Sequence, residues 1–408
     1  MTTAPTRFPA SFWRYLAGLL ASGLGDALVY IALPFLALAL IPAQGSQAST
    51  VGLIVLAASL PRFFAPLLGS LADRWPPRML LSLCALGRAL GVLALGLLAL
   101  NAQADLPLVA ALAFWNGLLA TLGYTAQSAL LPRLVRPELL ARANSLLSAA
   151  LMGAPLVGYG LGGWLAAHSG PAFTLLLSVP CVLLLAVCSA SLPRWGGAAT
   201  GERLNFWQDT KLAACLLMGR PLLLALLGMG FVLNLALNLM NVRAPLHMAE
   251  AGRGAPDYAV FEMLISGGVL LGIALVGPLS RRCSLDALIG AGGVVLVLGI
   301  AAFIPGGVWV WWSGAAVFGT GLGLLEMATI TRVQGMLPGE VRGRVIGVAL
   351  GVNALGLTLG AVLASRPLPT STLMLGLSAA CTLLAFLWPL ALRAEGQRSA
   401  LLHPTATR

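Results

Sequence analysis

A chain of 408 residues that is 59% hydrophobic and only 9% charged lies far from soluble domains, where roughly a quarter of residues carry charge. A mean hydropathy of +0.93 likewise excludes an ordinary water-soluble globule. The net charge of +11 at pH 7 raises the question of a nucleic-acid partner, which the placement of the basic residues answers below.

A helix rising about 1.5 Å per residue needs about 20 apolar residues to cross the hydrocarbon core of a bilayer. Twelve such runs are predicted, at 12–41, 50–71, 79–100, 107–131, 144–167, 171–193, 221–246, 258–280, 286–304, 307–331, 345–365 and 371–392. They lack the alternating period of barrel strands, and lipid demands that every backbone group be satisfied within the segment, so they read as helices. The first run is too long for the apolar core of a cleaved signal and has no small-residue cleavage site after it, so it is expected to remain as the first span.

Gly69-Ser70-Leu71-Ala72-Asp73-Arg74 joins the second run to the third without a spacer. A weaker copy, Gly277-Pro278-Leu279-Ser280-Arg281-Arg282, follows the eighth. Two copies at corresponding places predict an internal duplication. The longest polar stretch, 194–219, then separates an N-terminal six-helix bundle at 1–193 from a C-terminal six-helix bundle and tail at 220–408. Within it, 203–218 mixes Leu204, Phe206, Trp207 and Leu212 with charges, which fits either an amphipathic interfacial helix or a plain linker.

Most of the 24 basic residues fall on one set of alternate connections, among them Arg74, Arg78, Arg133, Arg136, Arg142, Arg220, Arg281, Arg282 and Arg332. The opposite set holds Arg253 and Arg366. By the positive-inside rule both termini and the middle stretch are expected to be cytoplasmic. The charge then sets topology and attracts anionic headgroups, with no nucleic-acid partner expected. Trp309, Trp311 and Trp312 are expected in the outer aromatic belt.

Polar groups inside the runs are few. Asp26, Arg62 and Arg88 sit at comparable depth in the first three spans, where each is expensive in lipid unless paired or facing water. Asp26 is therefore expected to pair with one or both arginines. Ser22, Asp26 and Tyr30 recur at i, i+4 and i+8 and form a polar stripe on one helix face. Glu326 lies deep in the tenth span with no basic residue near it in sequence, and membrane carboxyls of this kind are the groups that proton relays use. Glu262, nearer the end of the eighth span, reads as solvated. Asn234, Asn238 and Asn241 share one face of the seventh span and are expected to line a cavity, cross-linking of helices being the alternative. Asn116, Gln127 and Asn353 are weaker candidates of the same type. Small residues at i, i+4 in the pairs Gly158/Gly162, Gly319/Gly323, Gly347/Gly351 and Gly356/Gly360 predict close helix contacts.

Gly69, Leu71, Asp73, Arg74 and Arg78 resemble the signature loop of the major facilitator superfamily, although Pro76 and Pro77 stand where that loop has a glycine and a basic residue. Further similarities are Gly23-Leu24-Gly25-Asp26, Leu131-Pro132, Arg136-Pro137-Glu138 and Arg342-Gly343-Arg344-Val345. Pro155 and Gly158 in the fifth span match an exporter-type motif that here has Ala154 and Tyr159 in place of glycines. The resemblance covers the whole chain and is strongest to drug and siderophore exporters of the macrolide-efflux and enterobactin-export kind.

What the resemblance implies is an all-α membrane protein of twelve transmembrane helices in two six-helix bundles. It further implies secondary active transport by alternating access, with proton-coupled efflux of a lipophilic or amphipathic small molecule. An importer or facilitator on the same fold is the alternative. Asp26, Tyr30, Arg62, Arg88, Asn234, Asn238, Asn241 and Glu326 would then belong to the substrate and coupling cavity, with a structural Asp26–Arg pair equally open. Gly69, Asp73, Arg74 and Arg78 would form a conformational latch with Arg133 and Arg136. The fourth span lacks the arginine that many proton-coupled members carry. A membrane-embedded lipid-processing enzyme is the rival class, but His168, His247 and His403 are scattered, the six cysteines make no metal-ligand pair, and no phosphate-binding glycine loop is present. The chain is expected to be no enzyme, to use no cofactor or metal, and to act as a monomer in the inner membrane with substrate, protons and lipid as its partners.

Overall fold

The structure is a computed structural model and describes residues 8–40, 46–72, 75–193, 211, 215, 217–304, 306–336 and 339–402. Among these, ten helices are long and apolar enough to cross a membrane. One of them, Arg142–Ala190, holds two spans meeting at Gly170, and the shorter apolar helix Leu285–Ala301 brings the number to twelve. The first span is Ala10–Ala39, the second begins at Gln47, the third is Pro77–Leu100 and the fourth Leu106–Leu134. The fifth and sixth share Leu140–Ala190. The remaining six are Pro221–Glu250, Ala255–Leu279, Leu285–Ala301, Val308–Met336, Gly339–Ala364 and Thr370–Leu402.

Local chemistry explains several boundaries. The Asp105 carboxylate accepts from the Leu108 amide at 2.9 Å, and the Ser284 hydroxyl accepts from the Ala287 amide at 3.2 Å, so each caps the helix that follows it. In the second span Pro61 removes a backbone donor, and the helix tightens to a 3-10 turn over Leu60–Phe64 before resuming as Ala65–Ala72. Arg62 sits on that turn. Between the fifth and sixth spans there is no loop: Gly170 takes φ 82° and ψ 162°, a backbone that only glycine adopts without strain. The chain reverses there. Gly158 lies against Leu24 and Ala27, and Gly162 against Leu28 and Ile31, rising along the first span, whereas Cys181 lies against Gly25 and Cys188 against Gly18, descending it.

The duplication is visible in which helices touch. In the first half the first span packs on the fifth, the second on the fourth through Ala58 and Gly117, the third on the fourth through Gly87 and Leu119, and the third on the sixth through Gly96 and Leu176. The second half repeats each pairing six spans later. Gly356 and Gly360 of the eleventh lie on Phe231 and Leu235 of the seventh, and Gly268 of the eighth lies on the tenth. Gly299 of the ninth lies on Phe318 of the tenth, and Gly290 faces Trp388 of the twelfth. The protein is thus an all-α membrane protein with two six-helix bundles. Grouped by contacts, one compact unit comprises Met1–Thr200 with Val242–Met263, and the other Gly201–Asn241 with Leu264–Arg408.

Three expectations need correction. The eighth, eleventh and twelfth helices extend beyond the predicted 258, 345 and 392 to Ala255, Gly339 and Leu402, because a helix continues past its apolar section while hydropathy reports only that section. Trp311 is 1% exposed and packs its ring 5.1 Å from that of Phe303, so it belongs to the core and only its neighbours Trp309 and Trp312 reach the surface of the bundle. Gly347 and Gly351 have open space beside them, in contrast to the tight contacts at the other three glycine pairs. Of the amphipathic stretch 203–218, all but Lys211, Cys215, Leu217 and Met218 lies outside the described residues.

Candidate transport site

The polar centre of the first unit is built on three helices. Arg88 of the third span is 8% exposed and forms an ion pair with Asp26 of the first, while its Nε donates to the Asn116 side-chain oxygen of the fourth at 3.0 Å. A buried guanidinium thus has a carboxylate on one side and an amide on the other, which is what a charge held in an apolar bundle requires. Asp26 keeps 44% of its side chain exposed. Asp26 pairs with Arg88 and not with Arg62, which is exposed on the 3-10 turn and has its electrostatic contact with Tyr159.

A second polar group in the same unit surrounds Tyr30. Its hydroxyl donates to Glu262 Oε1 at 3.4 Å, and the Tyr258 hydroxyl hydrogen-bonds the same carboxyl. The Tyr30 ring lies 5.5 Å from that of Tyr159 and 6.4 Å from that of Tyr258. Glu262 is 5% exposed, which corrects its reading as a solvated residue. The start of the eighth span packs against the first and fifth, with Gly163 facing Pro256 and Ala259 and Gly160 facing Met263, and this tertiary cover buries a carboxyl that its position in sequence leaves near an end. Glu262, Tyr258 and Tyr159 are the residues that sequence reasoning left out of the site.

The predicted residues of the second unit are more dispersed. Asn238 is 2% exposed and donates to the Leu357 carbonyl of the eleventh span at 2.7 Å, while its own side-chain oxygen accepts from Asn241 at 3.2 Å. This bond cross-links two helices, the alternative reading of this asparagine. Asn234 donates to the Gly230 carbonyl one turn back on its own helix at 2.8 Å. Glu326 lies on the tenth span with its side chain exposed. Arg332, one and a half turns on, is held by Asp286 through bonds of 2.8 and 3.2 Å.

Of the signature loop, Asp73 and Arg74 lie outside the described residues. Gly69 is helical with open space beside it. Arg78 donates to the Leu192 carbonyl at 2.7 Å and so caps the end of the sixth span, where cations are favoured by the helix dipole. Arg133 is half-buried and Arg136 exposed, and among the described residues neither forms an ion pair. Pro155 and Gly158 face the first span, the former near Gly23 and the latter against Leu24 and Ala27. Among the described residues no cluster of His, Cys, Asp or Glu has the makings of a metal site, and the cysteines are free.

The model of the Major Facilitator Superfamily matches residues 15–361. The chain belongs to that superfamily. Within it, the chain is similar to the enterobactin exporter EntS of Salmonella typhimurium, with 26% identity over 300 residues covering 72% of this chain and 71% of the relative. It is also 26% identical over 377 residues to an uncharacterized transporter of the superfamily type from Sinorhizobium fredii, covering 88% of each. Among solved structures the fold is shared with the nucleoside transporter NupG, at a TM-score of 0.75 and 13% identity over 94% of this chain and 99% of the other. A bacterial homologue of the iron transporter ferroportin in an inward-facing state shares it at 0.73 and 19%, over 93% and 98%. The superfamily assignment makes the chain a multi-pass membrane transporter of a small molecule.

Proposed function

We propose that this transporter exports a lipophilic or amphipathic small molecule of the drug or siderophore class, driven by protons and working by alternating access. The observation that carries the export direction is the similarity to enterobactin exporters over 300 residues. The Asp26–Arg88–Asn116 cluster supplies a polar point in the first bundle for a substrate or for coupling, with the exposed part of the Asp26 carboxylate as the accessible acceptor. Glu326, exposed on its helix, is the coupling carboxyl of this reading. Asp73 serves as the latch, its arginine partners drawn from Arg133 and Arg136, which form no ion pair among the described residues. The Lys and Arg distribution supports cytoplasmic termini in the inner membrane, and the working unit is a monomer.

The test is uptake into inverted membrane vesicles with an imposed proton gradient, inside acidic, screened with enterobactin, a macrolide and ethidium. Accumulation that a protonophore collapses is the expected result. Uptake of the same compounds only by right-side-out vesicles, or equilibration without concentration, would replace the exporter with an importer or a facilitator.

A further inference from the structure

Glu262 stands two turns into the eighth span, and its surroundings are unusual for a carboxyl. At 5% exposure it is cut off from water. The groups facing it are hydroxyls: Tyr30 from the first span at 3.4 Å, Tyr258 from its own helix, and Tyr159 of the fifth span behind Tyr30. Asp26 and Arg62 reach Tyr159 electrostatically but form no pair with Glu262. Arg243 and His247 lie in the part of the seventh span that belongs to the same unit, and Arg243 interacts with Glu250. Among the described residues no cation is paired with the Glu262 carboxyl.

An ionised carboxylate without a counter-charge is among the costliest groups to hold away from water. Two phenols offset part of that cost by donating to it. A proton removes the charge altogether and leaves an acid that donates one hydrogen bond and accepts others. The helix contact that excludes water here is close: Gly160 and Gly163 of the fifth span meet Met263, Ala259 and Pro256 of the eighth. Water entering here would part the Tyr30 ring from those of Tyr159 and Tyr258, 5.5 and 6.4 Å away.

We propose that Glu262 is a proton-binding site of the transport cycle, occupied while the first, fifth and eighth spans pack together and emptied when water enters between them. One proton from bulk water adds to one carboxyl oxygen and no other bond changes. By linkage, proton binding at Glu262 then favours the packed arrangement as much as packing favours the proton. The assignment rests on the proton-driven transporter reading and adds to it a site distinct from Glu326.

The experiment uses the purified full chain in phosphatidylethanolamine–phosphatidylglycerol liposomes, with no substrate and no gradient. Infrared difference spectra between acidic and alkaline buffer are expected to show a protonated-acid carbonyl band that disappears at alkaline pH and is missing in Glu262→Gln. In Tyr30→Phe and Tyr258→Phe the band is expected to remain and move to higher frequency, since a carbonyl with fewer donors vibrates faster. Hydrogen exchange of segments 24–36 and 255–263, corrected for intrinsic rate, should increase at alkaline pH in the wild type and stay low in Glu262→Gln. A band unchanged in Glu262→Gln overturns the proton site, and an equal pH response of exchange in both proteins overturns its link to packing. Should Glu262→Gln fail to fold, a band at the same frequency in both tyrosine variants overturns the assignment on its own. Because nothing is transported, a missing proton-driven flux beside a normal Glu262 band removes the coupled-exporter reading and leaves the site intact, whereas flux without the band does the reverse.

Discussion

Arg88 and Asp26 form a lopsided pair, and the asymmetry has consequences for substitution. The arginine is buried while the carboxylate keeps 44% of its side chain exposed. Removing the acid strands a buried cation with only Asn116 beside it, a loss of about 3 kcal/mol. Removing the arginine leaves an acid that water can still solvate. Asp26→Ala is therefore expected to lower the thermal unfolding midpoint in detergent markedly more than Arg88→Met, and the double variant to recover part of the loss. Equal midpoints for the two single variants would contradict the asymmetry. That Asp26 would have an arginine partner was legible in the sequence, because three charged residues share one depth and lipid forbids them to stand alone. Glu262 was not legible. Its burial comes from the first and fifth spans closing over it, and periodicity along a single helix carries no information about that cover. Asn238 shows the same limit: its place on a polar face was correct, but the acceptor it found is the Leu357 carbonyl of another helix.

Among the helices, glycine spacing was informative only where a partner backbone came close. A Cβ added at Gly158 would lie 2.6 Å from the Cβ of Ala27 and 2.9 Å from the Leu24 carbonyl, whereas one added at Gly347 would meet nothing within 4 Å. Gly158→Ala is expected to destabilise by about 1–3 kcal/mol through overpacking. Gly347→Ala should be neutral or slightly stabilising, since alanine favours the helix by up to about 1 kcal/mol. Thermal melts of the two variants in one detergent decide it, and a Gly158→Ala protein as stable as wild type would mean that the first and fifth spans are not in this contact. Span number and order were readable from apolar run length, because the bilayer fixes that length. Helix ends were read less well, since the extensions at 339–344 and 393–402 lie beyond the apolar section on which the prediction depended.

Across the whole molecule, the same four helix pairings recur six spans apart, which gives structural form to the duplication first seen in two loop copies. Only the first copy carries an acid, Asp73, so the latch reading is asymmetric. Asp73→Asn is expected to slow transport about tenfold or more, the worth of a charge-assisted hydrogen bond, with substrate affinity little changed. Flux at the wild-type rate in proteoliposomes would remove the latch. Glu326→Gln is expected to abolish accumulation driven by a pH gradient while sparing equilibrium binding of the same compound. A variant that still concentrates substrate would free Glu326 from coupling. Substrate identity was not legible at this scale, because cavity shape follows from how twelve helices pack and no single run encodes it.

Gly170 has a bearing on how the chain fits a bilayer. With its positive φ it turns two spans back to back with no polar loop between them. The two spans together run 51 residues, which laid end to end as a single straight helix would measure roughly 75 Å against a hydrocarbon core of about 30 Å. The two spans therefore fit the bilayer only as a hairpin closed at Gly170. One glycine thus bears on how two spans are accommodated in lipid as well as on the turn between them.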